Sequence, residues 1–101
     1  MIRHYDKSMD LNEEIKKGKV IVDFFATWCG PCKMLGGELE ELSKEDETID
    51  IIKIDIDEEE GLAHEYGVMV VPTVYFYQDG ELLARETGFM PKDKMIDIFK
   101  K

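Results

Sequence analysis

Apolar runs of two different periods alternate along the chain. Val20 to Ala26 reads Val-Ile-Val-Asp-Phe-Phe-Ala, and Ile49 to Ile56 reads Ile-Asp-Ile-Ile-Lys-Ile-Asp-Ile. β-Branched and aromatic residues at this density predict strands, and the nearly continuous first run suits a central strand covered on both faces. Between them Leu35, Leu39 and Leu42 recur at i, i+4 and i+7 among charged residues, the stripe of a helix ending near Asp46. Upstream, Ser8 or Asp10 offers a cap for a short helix, and Asp10 with Glu13 has capping-box spacing. Leu11 and Ile15 share its inner face and Gly18 ends it. Downstream, Glu58 to Tyr66 is expected to be helical and closed by Gly67. Thr73 to Tyr77 and Leu82 to Thr87 are expected strands, joined through Asp79-Gly80, a type I′ hairpin signal. Pro91 stands near the start of a last helix with Met95, Ile98 and Phe99 on one face.

The order is thus α-β-α-β-α, a β-hairpin and a final α, with room for one more strand at the start. That pattern predicts an α/β fold with a mixed sheet of four to five strands and helices on both faces. A length of 101 residues fits one domain, residues 1–101. Asp and Glu number 23 against 13 Lys and Arg, for a net charge of −10. That sign argues against nucleic acid or an anionic membrane as a partner. No apolar run approaches the roughly 18–20 residues that cross a bilayer. Met1 to Asp6 lacks the apolar core of a secretory signal, so a cytoplasmic protein is expected.

The chemistry is concentrated in two cysteines, held as Cys29-Gly30-Pro31-Cys32 where the first strand turns into the long helix. Two cysteines do not make the multi-bridge framework of a small secreted scaffold. At this spacing, between strand and helix, they form a redox motif. Free backbone N–H groups and the positive end of the helix dipole favour a thiolate at Cys29. Cys32, one turn inside, is expected to be more enclosed and less ionised. A zinc site needs two further ligands, and the only histidines, His4 and His64, are isolated. The acidic run from Asp55 to Gly61 fails the calcium-loop pattern, which would need Gly and Glu where Glu60 and Tyr66 stand.

Asp23 is the second informative residue, because it interrupts the most apolar stretch of the chain six positions before Cys29. Carboxylates are almost never fully buried without a partner, and desolvation raises their pKa toward neutrality. Held below the dithiol, Asp23 would accept the proton of Cys32 as that thiol becomes a nucleophile. Lys53, in the neighbouring strand, is its candidate charge partner. The other reading places Asp23 at an edge or a water, where it only tunes stability.

The segment Asp23-Phe24-Phe25-Ala26-Thr27-Trp28-Cys29-Gly30-Pro31-Cys32-Lys33 resembles the active-site signature of the thioredoxin family. Val71-Pro72-Thr73 is similar to that family's cis-proline loop, Asp79-Gly80 to its hairpin and Gly88 to its late glycine. The resemblance implies the thioredoxin fold and a general protein-disulfide reductase. It implies Cys29 as nucleophile, Cys32 as resolving thiol, and Asp23 with Lys53 as the proton-handling pair. Trp28, Gly30, Pro31, Val71, cis Pro72 and Gly88 correspond to the patch on which target peptides lie. It further implies a redox-active Cys29–Cys32 disulfide with no bound cofactor or metal, disulfide-containing protein substrates, and a monomer. Renewal would come from a thioredoxin reductase, usually a flavoenzyme drawing on NADPH. An oxidase or isomerase of the same fold is the nearest rival, and a docking module without turnover is the other.

Three positions depart from the family pattern. Phe25 stands where many members carry a second Trp, and Val70 where smaller or polar residues are common. Gly36-Gly37 falls inside the long helix, where members often have Pro at the second position. Each mid-helix glycine costs about 1 kcal/mol relative to alanine, so the pair is expected to permit a bend or a close approach of the neighbouring layer.

Overall fold

A computed structural model describes residues 1–100. Its elements in chain order are β1 Ile2–His4, α1 Leu11–Glu14, β2 Lys19–Phe25, α2 Gly30–Glu45, β3 Ile49–Asp55, α3 Glu60–Glu65, β4 Thr73–Gln78, β5 Glu81–Thr87 and α4 Lys92–Phe99. The strands form one sheet of five in the order β1-β3-β2-β4-β5. β1, β3 and β2 run parallel, while β4 and β5 are antiparallel to their neighbours. The β4–β5 turn has Asp79 at φ 51° and Gly80 at φ 89°, the two left-handed residues that a type I′ hairpin requires.

Because β2 lies in the middle, its alternate residues face two separate layers. Val20, Val22 and Phe24 pack with Ile52, Ile54, Tyr75 and Tyr77 beneath α1 and α3, represented by Leu11 and Ala63. Ile21 packs on the other side with Ile49, Ile51, Val74 and Phe76 beneath Leu35, Leu39 and Leu42 of α2 and Met95 of α4. Asp23 and Phe25 have the same parity as Ile21 and therefore face α2.

Two short helices are shorter than their sequence spans. The Asp10 side chain accepts from the Asn12 N–H at 3.1 Å rather than from Glu13, so the capping-box bond is not made. α1 then ends at Glu14, four residues before Gly18, whose φ of 72° turns the chain into β2. α3 begins at Glu60 instead of Glu58, because the Asp55 carboxylate accepts the Asp57 N–H at 2.9 Å. Such an Asx turn competes with helix for the same backbone.

Candidate active site

β2 delivers the chain to the dithiol, and α2 receives it. Cys29 is the N-cap of α2, with extended backbone (φ −96°, ψ 112°), and its Sγ accepts the Cys32 N–H at 3.2 Å. A sulfur at this position takes up a backbone donor that the helix itself leaves unpaired, and it sits at the positive end of the dipole. Pro31, in the first turn, supplies no N–H at all. Cys29 and Cys32 are joined as a disulfide with their Cα atoms 5.2 Å apart. Both sulfur-bearing residues are nearly enclosed, at 4% and 2% exposure, so the expected contrast in their burial is slight. They pack against Ala26, Phe25 and Val71.

The loop before β4 forms the opposite wall. The Val71–Pro72 peptide is cis, and the Val71 carbonyl oxygen lies 3.7 Å from Cys29 Sγ. Thr73, fully buried, donates its hydroxyl to the Val70 carbonyl at 2.6 Å, and the Gly88 N–H donates to the Pro72 carbonyl at 2.9 Å. Gly88 has φ 86°, a conformation that a Cβ would strain. Trp28 just before Cys29, Met34 on α2, Met69 and Val70 just before the cis bond and Phe89 just after Gly88 are exposed, Met69 by 90%. Gly30 and Pro31 are exposed too, Val71 and Gly88 are half-buried, and Pro72 is buried. The Trp28 indole donates to Asp57 Oδ2 at 2.9 Å, which fixes one edge of the ring. Among the sequence candidates, then, Val71 and Pro72 stand on the wall, Gly88 is tied to it, and Trp28, Gly30 and Pro31 are exposed on the dithiol side.

Asp23 has no exposed surface, and neither of its carboxylate oxygens has a hydrogen-bond partner among the described residues. Lys53 stands directly across from it in the β2–β3 register, with Nζ 3.9 Å from Asp23 Oδ2. Burial raises the Asp23 carboxyl and Lys53 pulls it back only in part, leaving it near pH 6. The Lys53 ammonium also lies 4.7 Å from the centre of the Phe25 ring, an attractive cation–π contact. An open cleft of about 250 Å³, lined by Phe25, Ala26, Thr27, Cys32, Lys33 and Lys53, joins Cys32 and Lys53 to the surface.

Sequence reasoning singled out the groups at the centre of this arrangement and, among the exposed residues beside it, Trp28 and Val70. Met69 and Phe89 carry no periodic signal because they lie in loops, although Met69-Val70-Val71 before a proline is an apolar run with no helix or strand to bury it. The Trp28–Asp57 bond spans 29 residues and leaves no local trace. No group of three or more His, Cys, Asp or Glu is placed to hold a metal ion among the described residues. No described helix is long and apolar enough to cross a membrane.

Comparison with known proteins places this geometry in context. The family model described as Thioredoxin matches residues 3–101. A thioredoxin of Staphylococcus epidermidis is 43% identical over 93 residues, covering 91% of this chain and 89% of the relative. A thioredoxin of Mycoplasmoides gallisepticum is 35% identical over 100 residues, covering 98% of this chain and all (100%) of the relative. Among solved structures, a point mutant of thioredoxin from Halobacterium salinarum superposes with a TM-score of 0.86 at 33% identity, over 98% of this chain and 88% of that one. The oxidised mitochondrial thioredoxin 3 of Saccharomyces cerevisiae gives 0.84 at 32% identity, over 99% and 95%.

Proposed function

The chain belongs to the thioredoxin family, and from that premise we propose that it works in the reducing direction, with Cys29 attacking, Cys32 resolving and Asp23 holding the proton between them. It is a protein-disulfide oxidoreductase that acts through the redox-active pair Cys29–Cys32. The observation that carries the division of roles is Cys29 as N-cap of α2, its sulfur accepting the Cys32 N–H.

In the reduced protein the Cys29 thiolate attacks one sulfur of a substrate disulfide. A Cys29–substrate S–S bond forms, the substrate S–S bond breaks, and the departing thiolate takes a proton from solvent. Cys32 then passes its proton to the Asp23 carboxylate, and its thiolate attacks Cys29 Sγ. The second substrate thiolate leaves and is protonated, and the Cys29–Cys32 disulfide remains. The substrate gains two electrons from the dithiol and two protons, one supplied by solvent and one that left Cys32. A carboxyl near pH 6 is suited to the transfer, since it is ionised at neutral pH yet accepts a proton at modest cost. Lys53 tunes that value by its positive charge.

Trp28, Gly30, Pro31, Val71, Pro72 and Gly88 make the platform for the target peptide. Its position beside Cys29 supports this reading, and so does its near lack of charge. Electrons return through a thioredoxin reductase, a flavoenzyme fed by NADPH, and the cytoplasm is the setting in which a dithiol of this kind stays reduced. The protein acts as a monomer, with residues 1–101 as one domain.

The reducing direction is supported by Pro31, which withholds one backbone donor from the Cys29 thiolate and so stabilises the reduced form less. Equilibration with glutathione buffers tests it. The expected potential lies at or below the cytosolic glutathione poise of about −220 to −260 mV, and a value of about −120 to −180 mV would mark an oxidase or isomerase instead. Reduction of insulin disulfides with NADPH and a thioredoxin reductase measures turnover. A docking module would bind its partner and leave insulin oxidised.

A further inference from the structure

Gly36 follows Cys32 by one turn of α2, at i+4, so the two residues share a face of the helix. Side chains on a helix lean over the turn that precedes them. One at position 36 would therefore lean toward Cys32, over the cleft in which Cys32 and Lys53 meet. A Cβ placed on Gly36 would come 3.3 Å from Lys53 Nζ, whereas one on Gly37 would meet nothing within 4 Å. The ammonium occupying that space is the one that stands 3.9 Å from the buried, otherwise unpartnered Asp23 carboxylate. A glycine in mid-helix lowers helix stability relative to alanine, and at Gly36 the space it leaves is used.

We propose that Gly36 is a positioning residue for the proton step: its missing side chain is the seat that keeps the Lys53 ammonium against Asp23. Of the three glycines in α2, only this one admits the neighbouring layer. The groups around the pair are few. β1 contributes His4, exposed and in register with Lys53, and β3 contributes Asp55, in register with Phe25. α2 contributes Cys32 and Lys33, which line the cleft, and β4 places uncharged Val74 opposite Asp23. Lys53 is thus the cation in position to balance Asp23, and crowding it outward leaves the carboxylate less compensated.

Titration of Asp23 by carboxyl carbon NMR in the oxidised protein, where the cysteines do not ionise, tests this directly. Gly36→Ala is expected to raise the Asp23 midpoint by roughly half a pH unit, part of what loss of a nearby opposite charge produces. Gly37→Ala gains the same helix propensity and is expected to leave the midpoint where it was. Lys53→Met raises the midpoint by itself, and Gly36→Ala then adds little in that background, as expected of two changes acting on one interaction. An unmoved midpoint in Gly36→Ala, equal shifts in both glycine variants, or full additivity with Lys53→Met overturns the proposal. Only the kinetic consequence rests on the proton role of Asp23. A midpoint that rises while the pH profile of mixed-disulfide resolution stays fixed would support Gly36 as the seat of Lys53 and remove Asp23 from the proton step.

Discussion

Val22 and Asp23 are neighbours in β2, both with no exposed surface, and they face opposite layers of the protein. The Val22 layer contains its own ionisable groups, the tyrosines. Burial pushes the Tyr77 phenol up to about 12. Tyr75 donates to the Tyr66 carbonyl at 2.5 Å and accepts from Arg85 Nε at 2.9 Å. In the Asp23 layer burial acts in the same direction and lifts the carboxyl from 3.8 to about 6. One physical cause carries the phenol away from neutral pH and brings the carboxyl to it. A buried acid is inert or usable according to which side of neutrality its ordinary value lies on. Tyr75, which both donates and accepts, keeps its layer structural, and in the proposed function the unpartnered carboxylate makes the other layer chemical.

Four substitutions separate the layers, and the largest effect belongs to the chemical side. Cys29→Ser is expected to reduce insulin turnover to background while the protein stays folded by circular dichroism. Residual turnover would shift the nucleophile's role elsewhere. Phe24→Ala, in the structural layer, is expected to cost about 3–5 kcal/mol in urea unfolding. At temperatures where it remains folded, its Asp23 midpoint should match the parent's, and a shift would mean that the two layers are coupled through β2.

Asp23→Asn should touch both stability and chemistry. A carboxyl raised by folding gives its contribution in full below its unfolded value near 3.8 and loses it as pH climbs through about 6. At about 1.4 kcal/mol per pH unit, the parent loses about 3 kcal/mol across that window. The asparagine variant has no such loss, so its stability relative to the parent should rise by that amount between acid and neutral pH. Resolution of the mixed disulfide should slow in the same variant. A stability difference that stays flat with pH would mean that Asp23 is not buried as a charge. The smallest effect expected is that of Asp10→Ala, which removes the cap on α1 for about 1 kcal/mol and leaves turnover unchanged.

Much of this division was legible in the chain itself. Asp23 was visible because it breaks an apolar run, and the Cys29–Cys32 motif because its spacing fits one helical turn. The strands and the hairpin followed from β-branched runs and from Asp79-Gly80, with boundaries within one residue of those observed. What was not legible was non-local. Gly36 stood out as a departure, but the residue that uses its space comes from β3. Met69 and Phe89 enter the rim through loop placement rather than through any period. α3 starts late because the Asp55 carboxylate competes for the backbone, an effect that a count of acids near a helix start does not distinguish from capping.

The two bonds that tie the platform together, Thr73 to Val70 and Gly88 to Pro72, have a consequence for how partners are held. The first closes the loop before β4 on itself and the second ties the residue after β5 to it, so the two chain ends of the hairpin make one ledge. On the proposed reading, a target peptide that docks there meets backbone already held by these bonds, and most of the ordering cost is its own. Such a ledge recognises the course of a backbone more than the identity of its side chains. If the ledge is the docking site proposed, tolerance of many partners is built in before the first sulfur is attacked.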